Sequence, residues 1–259
     1  TTVEVNAVMF GRTINPLSFV YSCALSILFA LLVNWMMEIC HKFRLVSETL
    51  YLSVNLMDRY LSVCACPRDE LQLLAVTALF VAAKFEEVSP PVLDDFAYIS
   101  ADRYTTQQII DFERDLLRAV EWRLTAPCPL LFLRRYSKAA GCDAALHTVG
   151  KYLLERALLS STMLRYPPSL QAAAAVYLAH VLLNRCEPQW TAPLQYHSAY
   201  AESEVVPCAL ELCALLGDND PKLRFVYQKY GGNRRGTVAY ICATEHADAA
   251  QRISALRLA

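Results

Sequence analysis

Two charged side chains interrupt the apolar rows of predicted helices, and the chemistry of the sequence centres on them. Lys84 comes one helical turn after Phe80 in a stretch that is otherwise apolar. Glu113 lies midway between Ile109 and Leu117, in a row of four-residue steps. A charge held among apolar side chains needs an opposite charge or a polar partner. The two residues therefore predict either an ion pair inside the fold or a surface that binds another protein.

No catalytic motif accompanies these charges. The chain contains no Gly-x-Gly-x-x-Gly, no phosphate-binding loop, no Gly-x-Ser-x-Gly and no His-Glu-x-x-His. The five histidines are scattered, and His180 on an alanine-rich stretch is interpreted as a packed core residue. The adjacent carboxylates Glu86-Glu87 and Asp94-Asp95 point to different faces of a helix, so we interpret them as solvated. We expect a protein that is not an enzyme.

Ten cysteines raise the question of disulfides or a metal site. None of them forms a Cys-x-x-Cys pair, and Cys64-Ala65-Cys66 alone cannot supply four ligands. Most lie in apolar helical stretches, where cysteine behaves as a small hydrophobic residue. We expect reduced thiols, an intracellular protein, and neither a metal nor another cofactor.

The helix that carries Lys84 is the one around which the others are organised. Residues 69–88 are apolar on nearly every side, which is typical of a buried helix, and its four alanines let neighbouring helices approach closely. Further helices are predicted over residues 17–37, from Ser47, around residues 92–98 and from Thr105. Ser47 is a candidate N-cap, and Thr105-x-x-Gln108 is a capping-box pattern.

Residues 17–37 contain no charged side chain and are long enough to span a bilayer. We favour a core helix, because Ser22, Ser26 and Asn34 interrupt the stretch and its basic flanks are weak. No basic region followed by a cleavage site indicates a signal peptide. The expectation is a chain with no membrane partner.

The second half of the chain repeats the pattern of the first. The apolar, alanine-rich stretch from Leu170 echoes the stretch from Leu71 at an offset of 99 residues. We predict an all-α fold of two tandem five-helix repeats, each around a central alanine-rich helix. The second copy has leucine at both positions that match Lys84 and Glu113, so only the first copy carries the unusual charges.

The segment most typical of a linker, residues 126–129, contains two prolines and falls between the copies. We predict an N-terminal extension over residues 1–24, a first repeat over 25–126, a second repeat over 127–230 and a C-terminal tail over 231–259. A weak amphipathic pattern occurs within that tail.

Several motifs resemble those of the cyclin family. In the first half they are Ala82–Glu87 (AAKFEE), Leu50–Leu61 (LYLSVNLMDRYL) and Phe112-Glu113. In the second half the stretches similar to A/B-type mitotic cyclins are Met163–Ser169, Ala172–Leu178, Pro207-Cys208 and Lys229-Tyr230. The resemblance covers roughly residues 25–243. It implies two cyclin boxes in a non-catalytic subunit that binds and activates a cyclin-dependent protein kinase during cell division, in the nucleus or the cytoplasm.

The resemblance also implies two binding surfaces, both on the first repeat. In the expected kinase-binding surface, Lys84 and Glu113 match the pair that grips the kinase near its C-helix, and their surroundings are Val81, Phe85, Glu86, Leu117, Trp122 and Leu124. We expect an exposed apolar patch of Val81, Phe85, Leu117 and Leu124, with the two charged residues at its rim. The expected docking groove, for substrate or inhibitor proteins with an Arg-x-Leu motif, is lined by Leu28, Leu32, Asn34, Trp35, Glu38, Leu71 and Gln72.

Two positions depart from the family pattern. Phe29 stands where the family has an arginine whose expected partner is Asp58, so the usual buried ion pair is not expected. Asn34 stands where the family often has aspartate, which removes a negative charge from the docking groove.

Two alternatives remain open at the level of sequence. Transcription factors of the TFIIB kind share a two-repeat fold, but they need a basic face for DNA. The chain has 24 basic against 25 acidic residues, so we expect no nucleic-acid partner. The second alternative is a cyclin that binds its kinase without driving cell division, and no sequence feature distinguishes it from a mitotic cyclin.

Overall fold

A computed structural model of the chain describes residues 16–101, 103–183, 190–217, 220–232 and 238–256. These residues form α-helices joined by turns and short 3-10 segments, and no strand occurs among them. The chain divides into two compact units, Thr1–Ala126 and Pro127–Ala259. The predicted all-α fold with two tandem repeats is confirmed. Among the described residues, no helix is long and apolar enough to cross a membrane.

The first unit is built around its third helix. Its five helices are α1 (Pro16–Lys42), α2 (Ser47–Val63), α3 (Leu71–Glu86), α4 (Leu93–Ile99) and α5 (Thr106–Ala119), with a 3-10 turn at Arg68–Glu70. Helix α3 packs against each of the other four. Every residue from Leu73 to Ala83 is buried, because the helix is apolar all round and its alanines leave room for neighbours. This is the central helix that the sequence predicts.

The capping chemistry of this unit matches one sequence prediction and corrects another. The Thr105 N–H donates to Gln108 Oε1 at 2.8 Å, and the Gln108 N–H donates to Thr105 Oγ1 at 3.2 Å, so the capping box forms. Ser47 was expected to cap α2, and this is wrong. Val46 holds the N-cap position and makes no side-chain capping bond.

Two carboxylates that we interpreted as solvated do the capping instead. Glu87 Oε1 accepts from the Val46 N–H at 2.8 Å and from the Thr49 hydroxyl at 2.6 Å. Asp95 Oδ2 accepts from the Val92 N–H at 3.1 Å at the start of α4. A carboxylate suits these positions because the first turn of a helix has unpaired N–H groups and a partial positive charge. Glu87 thereby ties the end of α3 to the start of α2.

The second unit repeats the plan and extends it. Its helices are α6 (Pro129–Ala139), α7 (Ala144–Ala157), α8 (Pro168–Leu182), α9 (Ala192–Ser198), α10 (Glu202–Ala214), α11 (Phe225–Gly231) and α12 (Val238–Leu256). Helix α8, buried from Ala172 to Ala179, packs against α6, α7, α9 and α10. Helix α12 packs on α7, α8, α10 and α11, so part of the expected tail is a structural helix with Ala249 and Ile253 buried.

A buried ion pair joins α11 to α7. Both carboxylate oxygens of Glu155 accept from Lys229 Nζ at 2.7 Å, and the Tyr230 hydroxyl donates to Glu155 Oε1 at 2.8 Å. Glu155 is only 1% exposed, so these donors compensate the cost of burying its charge. Lys229-Tyr230, one of the family-like stretches, therefore has a structural role in this unit.

Candidate functional site

Lys84 and Glu113 form an ion pair with each other, through Lys84 Nζ and Glu113 Oε1. The Lys84 side chain is 40% exposed and the Glu113 side chain 16% exposed. Lys84 Nζ also lies 4.0 Å from the centroid of the Phe80 ring, within range of a cation–π interaction. The first of the two predicted arrangements is thus present, but the pair lies at the surface rather than deep in the core. A partner protein can reach it.

The last turn of α3, which carries Lys84, and the end of α5 with the residues after it also expose apolar groups. Phe85 is 50% exposed and Trp122 is 66% exposed, while Leu117 and Leu124 are half-buried. Val81 is an exception to the expected patch, because it is only 2% exposed. Helix α3 is covered by its neighbours from Leu73 to Ala83, and its final turn emerges at the surface.

The end of α3 is also acidic. Glu86 is an exposed residue. Partial burial of its carboxyl, and to a lesser extent the negative charges of Glu48 and Glu87, raise the pKa of Glu86 above its ordinary value. Since like charges lie close together here, a partner with positive charge is favoured at this edge of the surface.

The residues of the expected docking groove lie largely along one side of α1. Leu28, Leu32 and Trp35 are half-buried at steps of four and three residues, which places them on one helix face. Glu38 is exposed one turn further on. This face combines apolar surface with one carboxylate, as a peptide bearing arginine and leucine would require.

Three other groove residues differ from the expectation in their surroundings. Asn34 is only 5% exposed, so it presents no dipole to a peptide; its Nδ2 instead donates to Glu38 Oε1 at 3.0 Å. Leu71 is buried, and Gln72 Oε1 accepts from Arg103 Nη1 at 3.3 Å. Asn34 therefore contacts and orients the exposed carboxylate of Glu38.

Two family profiles cover most of the chain. The profile described as "Cyclin, N-terminal domain" matches residues 29–125, and "Cyclin, C-terminal domain" matches residues 127–244. The chain belongs to the cyclin family. Membership in this family distinguishes the chain from the two-repeat transcription factors that sequence pattern alone left open.

This cyclin is similar to curated mitotic cyclins. It is 41% identical to Cyclin-B1-2 of Arabidopsis thaliana over 82% of this chain and 48% of the relative. It is 40% identical to the G2/mitotic-specific cyclin S13-7 of Glycine max over 82% of each chain. It is 39% identical to the G2/mitotic-specific cyclin-B of Dictyostelium discoideum over 83% of this chain and 50% of the relative. The chain spans about half the length of most of these curated relatives.

Solved structures share the fold at low sequence identity. A viral cyclin from herpesvirus saimiri superposes with a TM-score of 0.62 at 21% identity, over 83% of this chain and 85% of that chain. A chain of the yeast RNA Pol II CTD kinase CTDK-1 complex superposes with a TM-score of 0.65 at 12% identity, over 88% and 80% of the two chains. At these identities the likeness is one of fold.

Asp58 shows what the departure at Phe29 does to this cyclin. Asp58 Oδ1 is buried, and no described residue donates a hydrogen bond to it. Burial raises the pKa of Asp58 from its ordinary value to about 8. Phe29 is half-buried and offers no charge. The carboxyl therefore lacks the cationic partner that the family pattern places at position 29.

Sequence reasoning missed Arg59, which lies next to Asp58 on α2. Arg59 Nη2 donates to the Val120 carbonyl at 2.7 Å, and Nη1 donates to the Arg123 carbonyl at 2.5 Å. The signal in the sequence was only that Arg59 lies off the apolar stripe of α2. That position does not reveal a contact with residues more than sixty positions away.

Proposed function

We propose that this cyclin is a non-catalytic regulatory subunit that binds and activates a cyclin-dependent protein kinase in the control of cell division. The observation that carries the proposal is the accessible Lys84–Glu113 ion pair, on two helices whose ends also expose Phe85 and Trp122. An exposed apolar patch with charged side chains at its rim is typical of a protein interface. Family membership and the relatives named G2/mitotic-specific cyclins support the same function.

The ion pair suits recognition of a backbone or a polar side chain on the kinase. Because Lys84 and Glu113 already hold each other, both side chains are ordered before the partner arrives, which lowers the entropic cost of binding. The Lys84 ammonium retains donors, and the Glu113 carboxylate retains an acceptor oxygen, for groups on the kinase. The exposed rings then supply the buried apolar area of the complex.

Activation follows from binding if the surface contacts the kinase's mobile C-helix more strongly in its active position. A partner shifts a two-state element only by its differential affinity for the two states. The cyclin supplies no catalytic group to phosphoryl transfer; the kinase supplies the metal- and phosphate-binding residues. We place this activity inside the cell, in the nucleus or the cytoplasm.

The test is affinity purification of the tagged cyclin from its source cell, followed by a kinase assay on a histone substrate. Co-purification of a cyclin-dependent kinase with histone-directed activity is the expected result. A purified cyclin that brings down no such kinase contradicts the proposal. If a kinase co-purifies but cells still divide normally after the cyclin is depleted, the cyclin binds a kinase without a role in cell division.

We further propose that the face of α1 recruits proteins that carry an Arg-x-Leu motif. Trp35→Ala removes the largest apolar group of the groove and is expected to weaken binding of a fluorescent Arg-x-Leu peptide by at least about tenfold. Glu38→Gln removes the charge that meets the arginine, at a cost of about 1 kcal/mol, or roughly fivefold in affinity. Fluorescence anisotropy measures both values.

Matched variants separate docking from folding. Asn34→Ala leaves the Glu38 carboxylate in place but removes the donor that orients it, so we expect a loss smaller than that of Glu38→Gln. Asp94→Asn, an exposed change on α4, is expected to leave peptide affinity unchanged. Wild-type peptide affinity in a folded Trp35→Ala variant would exclude this face as the docking groove.

A further inference from the structure

The turn that follows α5 is held in an unfavourable backbone conformation. Glu121 has a φ of 53° and Trp122 a φ of 59°, two successive side-chain-bearing residues in the left-handed region. The Glu121 N–H donates to the Arg118 carbonyl at 3.0 Å, and the Trp122 N–H donates to the Leu117 carbonyl at 2.8 Å. This hydrogen-bond pattern commonly ends a helix, but with a glycine at the first left-handed position. Here neither residue is glycine, so other contacts must hold the turn.

Arg59 supplies those contacts. Its two terminal nitrogens reach the carbonyls of Val120 and Arg123, which stand immediately before and after the two left-handed residues. A guanidinium is planar and presents its donors as a rigid fork, so it can fix the distance between two acceptors. An ammonium group is a single point and does not impose that distance. The guanidinium of Arg59 therefore brackets residues 121 and 122.

The bracketed turn displays a large apolar side chain at the end of α5, the helix that carries Glu113. The Trp122 side chain is 66% exposed, and its N–H is bonded to Leu117, which lies one helical turn after Glu113. An exposed tryptophan costs little entropy when its backbone is fixed in advance, and tryptophan is enriched among the residues that dominate interfaces. The position of Trp122 relative to Glu113 depends on the path of residues 120–123.

We propose that Arg59 is a positioning residue of the kinase-binding surface: its guanidinium holds residues 120–123 in the left-handed turn that presents Trp122 to the partner. This inference rests on the proposed kinase binding. A purely structural role, joining α2 to α5, would not require the fork, since the rings of Tyr60 and Phe112 already join the two helices at a centroid distance of 5.5 Å.

The test compares Arg59→Lys, Glu121→Gly and the double variant. Arg59→Lys keeps the charge but loses the fork, and we expect about a tenfold loss of affinity for the kinase. Glycine adopts positive φ without strain, so Glu121→Gly should restore the turn in the Arg59→Lys background and recover most of the affinity. Glu121→Gly alone and Arg114→Lys, an exposed change elsewhere on α5, should bind like the wild type.

A second measurement reports on the turn without the kinase. Fluorine NMR of the protein labelled with 5-fluorotryptophan gives one resonance for each of the three tryptophans, and Trp122→Phe assigns the relevant one. We expect the Trp122 resonance to shift or broaden in Arg59→Lys and to return towards the wild-type position in the double variant. If wild-type protein binds no kinase, the proposed function fails, while this resonance still tests whether Arg59 holds the turn.

Several results would overturn the inference. One is wild-type kinase affinity in folded Arg59→Lys. Another is an unchanged Trp122 resonance with equal loss of affinity in the single and double variants, since that pattern indicates a packing role. If Arg59→Lys unfolds while the double variant folds, the double variant is compared with Glu121→Gly. It must retain most of the affinity of Glu121→Gly, and a deficit of about tenfold contradicts the proposal.

Discussion

Replacing Lys84 and Glu113 together with alanine is expected to remove most kinase binding and to leave the stability of the isolated cyclin nearly unchanged. A partly exposed ion pair contributes about 0–1 kcal/mol to folding, and the contact of Lys84 with Phe80 adds about 0.5–1 kcal/mol. A residue that carries much of the binding energy of an interface contributes about 2 kcal/mol or more, which is roughly a thirtyfold change in affinity. Binding should therefore respond far more than folding.

The single variants differ in what they leave behind. Lys84→Ala leaves the carboxylate of Glu113, which is 16% exposed, without its cation, whereas Glu113→Ala leaves a lysine that is 40% exposed and can be hydrated. We expect Lys84→Ala to destabilise the fold more than Glu113→Ala. The double variant leaves no unpaired charge and is the cleanest test of binding.

A swapped pair distinguishes mutual pairing from partner recognition. Lys84→Glu combined with Glu113→Lys preserves an ion pair but reverses its direction, so it should lose kinase affinity while stability falls only by the lost Lys84–Phe80 contact, about 0.5–1 kcal/mol. Arg114→Ala with Asp111→Ala removes an exposed pair elsewhere on α5 and serves as the control. A pull-down and a melting curve on each variant decide the matter: lost stability with kinase binding intact is incompatible with the proposed surface.

The second large effect concerns Asp58 and pH. Because burial raises the pKa of Asp58 to about 8 in the folded cyclin, the folded state holds a proton that the unfolded chain releases near pH 4. Below about pH 4 both states are protonated and this group has no effect. Between about pH 4 and pH 8 the folded state binds more protons than the unfolded state. The free energy of unfolding should therefore fall as the pH rises, by up to about 1.4 kcal/mol for each pH unit.

Asp58→Asn should remove that slope, since an amide does not ionise. We expect the variant to match the wild type near pH 4 and to be more stable at pH 8, by about 3 kcal/mol or more. Urea unfolding at a series of pH values measures the difference, with Asp94→Asn, an exposed aspartate, as the control. Parallel pH profiles for wild type and Asp58→Asn would show that Asp58 is not the buried acid described above.

A complementary variant supplies the missing charge. Phe29→Arg introduces the residue that the family pattern has at this position. If its guanidinium reaches Asp58, the charged carboxylate is favoured and the pKa of Asp58 falls. The pH dependence of unfolding should then flatten without any change at Asp58 itself, and a slope equal to that of the wild type would show that the two side chains do not meet.

The sequence by itself determined the features that depend on residues a few positions apart. The helical period and the alanine content of residues 69–88 predicted the buried central helix, and Thr105-x-x-Gln108 predicted a capping box that forms. Lys84 and Glu113 were recognisable as unusual because each interrupts an apolar row. Such patterns are readable because helix geometry relates each residue to those three and four positions away.

The packing of the helices decided the rest. Lys84 meets Glu113 across 29 positions, Glu87 caps α2 across 41, and Arg59 reaches the turn after α5 across 61 and 64. Packing also buries Val81 and turns Asn34 away from solvent. Which side chains meet over such separations depends on the relative rotation and crossing of helices, to which many residues contribute together, so no short stretch of sequence contains the answer.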